Sequence, residues 1–155
     1  MEKKLRVYLD TSVFGGCFDE EFREDSQSLI EALRFGRMTL LLSEVVLAEL
    51  RRAPFEVRRM PDTIPGYFKE LVSLSRAAFE LQTAYIKAGI VGEKSKTDAL
   101  HVAVASTARA DAIISWNFKH IVRLDKIKEY NYVNYQYGYG ILTILSPWEV
   151  SPDEG

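Results

Sequence analysis

Short apolar runs alternate with helical segments along this chain, and the alternation restricts the fold more than any other feature. The runs Leu5–Leu9, Thr39–Leu42 and Ala112–Ser115 are short and apolar enough to form buried strands. Apolar residues recur at helical spacing between them, as in the segment from Asp25 to Phe35. Strands that alternate with helices predict an α/β fold with a mainly parallel central sheet and helices on both faces.

The other segments extend this pattern. Ser43 is placed as the N-cap of a helix that runs through Glu49 towards Pro54. The sequence also predicts a loop at Gly15-Gly16 and a connection over Pro54–Pro65. It predicts further helices over Tyr67–Leu74, Arg76–Lys87 and Asp98–Ala105. The tyrosine-rich segment Tyr130–Tyr139 fits partly buried strand and loop packing, and a last apolar run covers Ile141–Leu145.

Length and composition bound the number of domains. With 155 residues, of which 47% are hydrophobic and 27% charged, the chain can bury one substantial core. We expect a single domain over residues 1–150 and a C-terminal tail over residues 151–155.

The sequence has no apolar run of about 20 residues and no signal-peptide pattern, so we expect a soluble, cytoplasmic protein. One cysteine, Cys17, excludes an internal disulfide and a thiolate zinc cluster. The net charge of −2 argues against a protein that coats nucleic acid through a basic excess.

Topology brings four distant stretches to one edge of the predicted sheet. Residues that directly follow parallel strands share the carboxyl edge, where open α/β folds bind their ligands. Asp10 and the segment Ser115–Asn117 follow strands, and Asp98 begins a helix that leads back into a strand. Glu49 lies in the second turn of the helix after the second strand. We therefore expect an acidic site at this edge.

A bound cation would explain the inward-facing carboxylates. Glu49 follows Val45 and Val46 at helical spacing, so it lies on or beside an apolar stripe of its helix. Burying several carboxylates together is costly unless a positive charge compensates them. Carboxylate oxygens without histidine or thiolate partners favour Mg²⁺ or Mn²⁺ over zinc. Each residue also has a simpler interpretation, because Asp10 could cap a turn and Asp98 could stabilise the first turn of its helix.

Five segments in order resemble one known family. They are LDTS at Leu9–Ser12, LAEL at Leu47–Leu50, TDALHVA at Thr97–Ala103, SWNF at Ser115–Phe118 and ILSPWEV at Ile144–Val150. Together they resemble the successive signatures of PIN domains, especially the VapC-like toxins of type II toxin–antitoxin systems, and the likeness spans nearly the whole chain.

The resemblance implies both a fold and a function. It implies a PIN-like three-layer α/β/α fold and a metal-dependent ribonuclease, often a homodimer, with a cognate antitoxin as its protein partner. It implies that Asp10, Glu49 and Asp98 bind Mg²⁺ or Mn²⁺ and hydrolyse RNA, with Ser12 and Ser115 as supporting hydrogen-bond partners. Many PIN domains have a fourth acidic residue where this chain has Asn117. An amide there would weaken a second metal site, although it could orient water or a phosphate.

Several alternatives remain open from the sequence. His101 could hydrogen-bond a metal ligand, although packed helical histidines are more often merely satisfied. Trp116 could stack on a base, but packing beneath its loop is the better prediction. A non-catalytic PIN-like protein that binds RNA or acts as a scaffold would fit Asn117. An Asp-nucleophile phosphatase would use Asp10, but that chemistry usually needs a second acid two residues later, where Ser12 stands.

Overall fold

A computed structural model describes residues 3–150 of the chain, so the predicted tail at 151–155 lies outside the described residues. The strands are β1 (Arg6–Leu9), β2 (Thr39–Ser43), β3 (Lys69–Val72), β4 (Ala112–Ile114) and β5 (Thr143–Leu145). The α-helices are α1 (Thr11–Gly16), α2 (Arg23–Arg34), α3 (Glu44–Leu50), α4 (Phe55–Arg58), α5 (Arg76–Lys87), α6 (Lys96–Thr107) and α7 (Leu124–Gln136). Single 3₁₀ turns occupy Met60–Thr63, Gly66–Phe68, Glu93–Ser95 and Pro147–Glu149.

The five strands form one parallel sheet in the order β3-β2-β1-β4-β5. β1 occupies the centre, where Val7 pairs with Leu40 on one side and Ala112 on the other. Helices cover the sheet in a three-layer α/β/α arrangement, which confirms the predicted fold class. Because β1 and β4 are neighbours, Asp10 and Ser115 leave the same edge of the sheet side by side.

Buried apolar side chains on both faces of the sheet form the core. α6 is buried along most of its length, and its small residues Ala99, Ala103 and Ala105 let it pack closely against its neighbours, as the sequence predicts. No helix within residues 3–150 has the length and apolar character needed to cross a membrane.

The predicted helix over Tyr67–Leu74 is wrong. A 3₁₀ turn follows Pro65, and Lys69–Val72 then pairs with β2 as the edge strand β3. The spacing of Phe68, Leu71 and Val72 resembles a helical stripe, yet Leu71 is 76% exposed. The open edge of β2 needs hydrogen-bond partners for its backbone, and this requirement outweighs the local pattern.

The predicted loop at Gly15-Gly16 is also wrong, because these residues belong to α1. A Cβ at Gly16 would lie 2.5 Å from Ser26 Oγ and 2.7 Å from Trp116 Nε1. Glycine is therefore needed here for the close approach of α1 to these side chains, and its presence does not mark a loop.

Two further segments contain more helix than the sequence predicts. The connection Pro54–Pro65 includes α4 and a 3₁₀ turn. The tyrosine-rich segment lies mainly in α7, where Tyr130 is buried while Tyr132 and Tyr135 face outward. Aromatic residues favour strands only weakly, so packing against α5 decides the conformation here.

We expect Ser75→Ala to lower the free energy of unfolding by about 1 kcal/mol, because Ser75 caps α5. Its hydroxyl accepts a hydrogen bond from Ala78 N–H at 3.1 Å. Urea unfolding would measure the loss. Ser73→Ala is the matched control, since Ser73 is exposed and its side chain makes no hydrogen bond within residues 3–150. Equal losses in both variants would contradict a capping role.

Candidate functional site

Asp10 lies at the carboxyl end of the central strand and is only 4% exposed. It is the N-cap residue of α1, but its side chain makes no capping hydrogen bond to that helix. Its two oxygens instead accept hydrogen bonds from Ser12 Oγ at 2.5 Å and Ser115 Oγ at 2.7 Å. The simpler interpretation of Asp10, as a turn cap, therefore does not describe its side chain.

Both serine hydroxyls are held so that their protons point towards Asp10. Ser12 Oγ accepts the Trp116 N–H at 2.9 Å, and Ser115 Oγ accepts the Asn117 N–H at 2.9 Å. Each hydroxyl thus uses a lone pair on the backbone and its proton on the carboxylate. The structure thereby joins Asp10, Ser12 and Ser115 in one hydrogen-bonded group.

His101 supplies positive charge near Asp10 only when its ring is protonated. Burial raises the pKa of the Asp10 carboxyl above the ordinary value, and the charge of Glu49 adds to the rise. The charge of His101 and the two serine hydrogen bonds oppose this rise but do not cancel it. No lysine or arginine within residues 3–150 forms an ion pair with Asp10. A cation placed here would stabilise the ionised form.

The raised pKa of Asp10 gives a pH-dependence that can be measured. The folded state binds the proton of Asp10 more tightly than the unfolded state does. As the pH rises above the ordinary pKa of an aspartate, the ionisation of Asp10 therefore lowers the free energy of unfolding. We therefore expect the metal-free wild type to lose stability relative to Asp10→Asn between acidic and neutral pH. Urea unfolding of both proteins in EDTA would measure the difference. A difference that stays constant, or that grows in favour of the wild type, would contradict this sign.

Glu49 approaches the same region from α3, and its side chain is 40% exposed. Its Oε1 accepts hydrogen bonds from Thr11 Oγ1 and His101 Nε2, both at 2.6 Å. Partial burial opposes ionisation, but the hydrogen bond and charge of His101 and the Thr11 hydroxyl outweigh it, so the pKa of Glu49 is lowered. No hydrogen bond within the described chain engages its Oε2.

Of the buried polar residues behind Glu49, the sequence suggests only His101, as a possible hydrogen-bond partner of a metal ligand, and does not suggest Tyr8 or Ser43. His101 is buried, and its Nδ1 lies 2.7 Å from the hydroxyl of Tyr8. Tyr8 in turn contacts Ser43 Oγ at 2.8 Å. Tyr8, which lies two residues before Asp10 in a buried strand, is a further sequence signal that could have drawn attention to this group.

Within residues 3–150, no side-chain hydrogen bond connects Asp98 or Asn117 to the other predicted site residues, although the backbone N–H of Asn117 bonds Ser115 Oγ. Asp98 lies half-buried in the first turn of α6 and makes no hydrogen bond or ion pair within residues 3–150. Asn117 Oδ1 accepts the His120 N–H at 2.9 Å and so closes the turn after β4. The described residues contain no group of three or more His, Cys, Asp or Glu side chains that could hold a metal ion.

Asp10 and Glu49 nevertheless form a donor set that fits Mg²⁺ or Mn²⁺. Mg²⁺ is usually held by one or two carboxylates, with water and substrate phosphates completing its coordination. Asp10 is buried and has no lysine or arginine ion pair in the part of the chain that the structure describes, and Glu49 keeps one oxygen outside the hydrogen bonds of that part. These two carboxylates could hold such an ion, with Asp98 as the predicted third ligand.

Comparison with solved structures identifies similar folds. Ten chains match. A chain of FitAcB from Neisseria gonorrhoeae has a TM-score of 0.59 and 14% identity, over 93% of this chain and 99% of that one. A chain of FitAB bound to the IR36 DNA fragment has a TM-score of 0.58 and 13% identity, over 94% of this chain and 97% of that one. A chain of VapBC2 from Rickettsia felis, bound to a DNA fragment from its promoter, has a TM-score of 0.54 and 17% identity, over 92% of this chain and 98% of that one.

These similarities extend over nearly the full length of each chain, and the three structures are of VapBC2, FitAB and FitAcB. This chain therefore has the VapC-like PIN fold that its sequence motifs predict. No model of a protein family and no curated protein matches the chain.

Proposed function

We propose that this chain is a toxin-type PIN nuclease, namely a metal-dependent endoribonuclease that hydrolyses RNA phosphodiester bonds with Mg²⁺ or Mn²⁺. One observation carries the proposal. Asp10 is a buried carboxylate at the carboxyl edge of the sheet, fixed by two hydroxyl donors and without a lysine or arginine ion pair within residues 3–150. Such a group is costly to maintain unless a cation compensates it.

Each residue of the site has a distinct role in this proposal. Asp10 and Glu49 would hold the ion, and Asp98 would be its third carboxylate ligand. Ser12 and Ser115 fix both oxygens of Asp10, which restricts its rotamer and helps it remain ionised. When bound, the ion supplies Lewis-acid stabilisation of the phosphoryl oxygens and lowers the pKa of a water molecule.

Asn117 has a supporting part in this proposal. Its Oδ1 accepts the His120 N–H in the turn after β4, which leaves its second oxygen lone pair and its amide NH₂ to approach a water molecule or a phosphate. Because this residue brings no negative charge, a single metal ion is the better match to the donor set. The backbone N–H of Asn117 also holds Ser115 Oγ in place beside Asp10.

We also propose a protein antitoxin as the partner of this chain and a homodimer as its oligomeric form. The support is the similarity to chains from VapBC2 and FitAB, which are themselves complexes. Co-purification with the product of an adjacent small gene would test the first proposal, and light scattering would test the second.

A second candidate function is a PIN-like protein that binds RNA without cutting it. Two observations favour it, because the described residues hold no three-residue metal cluster and the oxygen of Asn117 is used in a turn. Binding of RNA without cleavage, in the presence of Mg²⁺ or Mn²⁺, would support this candidate over the nuclease.

The deciding experiment compares cleavage of a mixed panel of labelled RNAs with Mg²⁺, Mn²⁺ or EDTA. We expect metal-dependent cutting by the wild type and at least a tenfold loss in Asp98→Asn, roughly the range that follows from disturbing a metal site. Asp125→Asn is the matched control, since Asp125 also lies in the first turn of a helix. Loss of activity in both variants would indicate a general effect on helix stability. No cutting by the well-folded wild type would reject the nuclease.

A further inference from the structure

A chain of buried hydrogen bonds connects the body of the fold to Glu49. It runs from the backbone N–H of Val46 to Ser43 Oγ, then to the hydroxyl of Tyr8, to the imidazole of His101 and finally to Glu49 Oε1. Ser43, Tyr8 and His101 are all buried. Water therefore has little access to these groups, and their polar atoms depend on one another for hydrogen bonds.

The number of donors and acceptors fixes which group donates in each of these hydrogen bonds. Ser43 Oγ accepts the N–H of Val46 at 3.2 Å, so its own proton needs an acceptor. Within residues 3–150 the hydroxyl oxygen of Tyr8 is the acceptor that the structure provides. Tyr8 then donates its proton to His101 Nδ1, which must present a lone pair. The ring proton of His101 consequently lies on Nε2 and is donated to Glu49 Oε1.

The reverse direction leaves one group unsatisfied. If Nδ1 of His101 carried a proton, that proton would be donated to Tyr8, and Tyr8 would donate to Ser43 Oγ. The Ser43 hydroxyl would then accept two hydrogen bonds, and its buried proton would have no acceptor within the described chain. Buried donors without partners are rare because they lose their hydrogen bond to water and gain none in return.

We infer that Ser43, Tyr8 and His101 are positioning residues for Glu49. Their one-way hydrogen bonds place the His101 proton on Nε2 and, together with Thr11, hold Oε1 of Glu49 so that Oε2 stays open to a cation. The inference rests on the proposed function only in this last part, because the location of the proton is a property of the metal-free protein. Ligands that are oriented in this way by a buried neighbour bind metal more tightly.

The first test needs no variant. Nitrogen-15 NMR of histidine-labelled, metal-free wild type distinguishes a protonated Nε2 from a protonated Nδ1. The chain has two histidines, and His120, whose Nδ1 has no hydrogen-bond partner among residues 3–150, serves as the internal comparison. We expect His101 as the Nε2–H tautomer. A dominant Nδ1–H tautomer, or a ring protonated on both nitrogens, would overturn the inference.

The second test measures Mn²⁺ affinity by titration calorimetry in Tyr8→Phe and Tyr85→Phe. Both tyrosines are buried and hydrogen-bonded, but Tyr85 contacts Ser106 and Asn134, away from Glu49. We expect Tyr8→Phe to weaken Mn²⁺ binding about tenfold or more and to mix the tautomers of His101. Tyr85→Phe should change neither. Equal Mn²⁺ affinity in the wild type and a well-folded Tyr8→Phe would overturn the positioning role.

Thr11→Val keeps the test decisive if Tyr8→Phe does not fold. Thr11 is only partly buried, and its hydroxyl is the other donor to Glu49 Oε1. We expect weaker Mn²⁺ binding with the His101 tautomer unchanged, and wild-type affinity would count against the inference. If the wild type binds no Mn²⁺, the metal-dependent function fails, and the NMR result alone then decides whether the hydrogen-bond chain is correctly assigned.

Discussion

Asp10→Asn is expected to reduce metal-stimulated RNA cleavage by at least about a hundredfold. Residues that merely orient a metal ligand contribute about 10- to 100-fold, so loss of a direct carboxylate ligand should exceed that range. The amide retains the size of the side chain and one acceptor oxygen, but it removes the negative charge that would hold the cation. Cleavage of labelled RNA, together with Mn²⁺ titration, would measure both losses.

Asp111→Asn is the matched control for this variant. Asp111 precedes β4 and lies at the opposite edge of the sheet, where its Oδ2 accepts the N–H of Arg6 at 2.7 Å. The same chemical change at this position should leave cleavage within about twofold of the wild type, since surface changes away from a site have small effects. Full activity of a folded Asp10→Asn protein would remove the proposed mechanism.

Trp116→Ala is expected to lower the free energy of unfolding by about 3 to 5 kcal/mol, as large-to-small changes of buried aromatic residues do. Trp116 is 6% exposed and stacks on Phe22 with ring centroids 4.1 Å apart. Its Nε1–H donates a hydrogen bond to Ser26 Oγ at 2.8 Å. The variant would leave a cavity and a buried hydroxyl without its donor. Urea unfolding followed by circular dichroism would measure the change.

The second tryptophan provides the comparison. Trp148 is 53% exposed, although its ring also contacts those of Trp116 and Phe118. We expect Trp148→Ala to cost clearly less than Trp116→Ala, because less apolar area is buried at that position. If Trp116→Ala instead retained its stability and lost RNA affinity, base stacking would replace packing as the role of Trp116.

The sequence predicts the sheet well because its strong signals are local. β1, β2 and β4 are short apolar runs with polar residues at their carboxyl ends, and Ser43 is a recognisable N-cap. β3 is not predicted because its strand conformation depends on pairing with β2, and the local sequence of Lys69–Val72 does not indicate that pairing. Gly16 is misjudged for a similar reason, since Trp116, which lies 100 residues later, decides why glycine is needed.

Topology places Asp10 beside Ser115, whereas it does not reveal the buried residues behind Glu49. Asp10 and Ser115 can be placed together because they follow adjacent parallel strands. Tyr8 and Ser43 read as an apolar strand residue and a helix cap, and only the packed structure shows that His101 lies between Tyr8 and Glu49. Side-chain hydrogen bonds between elements distant in sequence depend on tertiary packing, which periodicity does not encode.

The pairing of β1 with β4 also determines when the site can form during synthesis. β1 leaves the ribosome before β4, and Ser115, whose hydroxyl bonds Asp10, follows Asp10 by 105 residues. Domains generally fold as units, and contacts of such long range form late because the chain must first close a large loop. A nascent chain that ends before β4 would therefore expose the central strand and lack the hydrogen bond from Ser115 to Asp10, so this group of residues can form only after β4 has been synthesised.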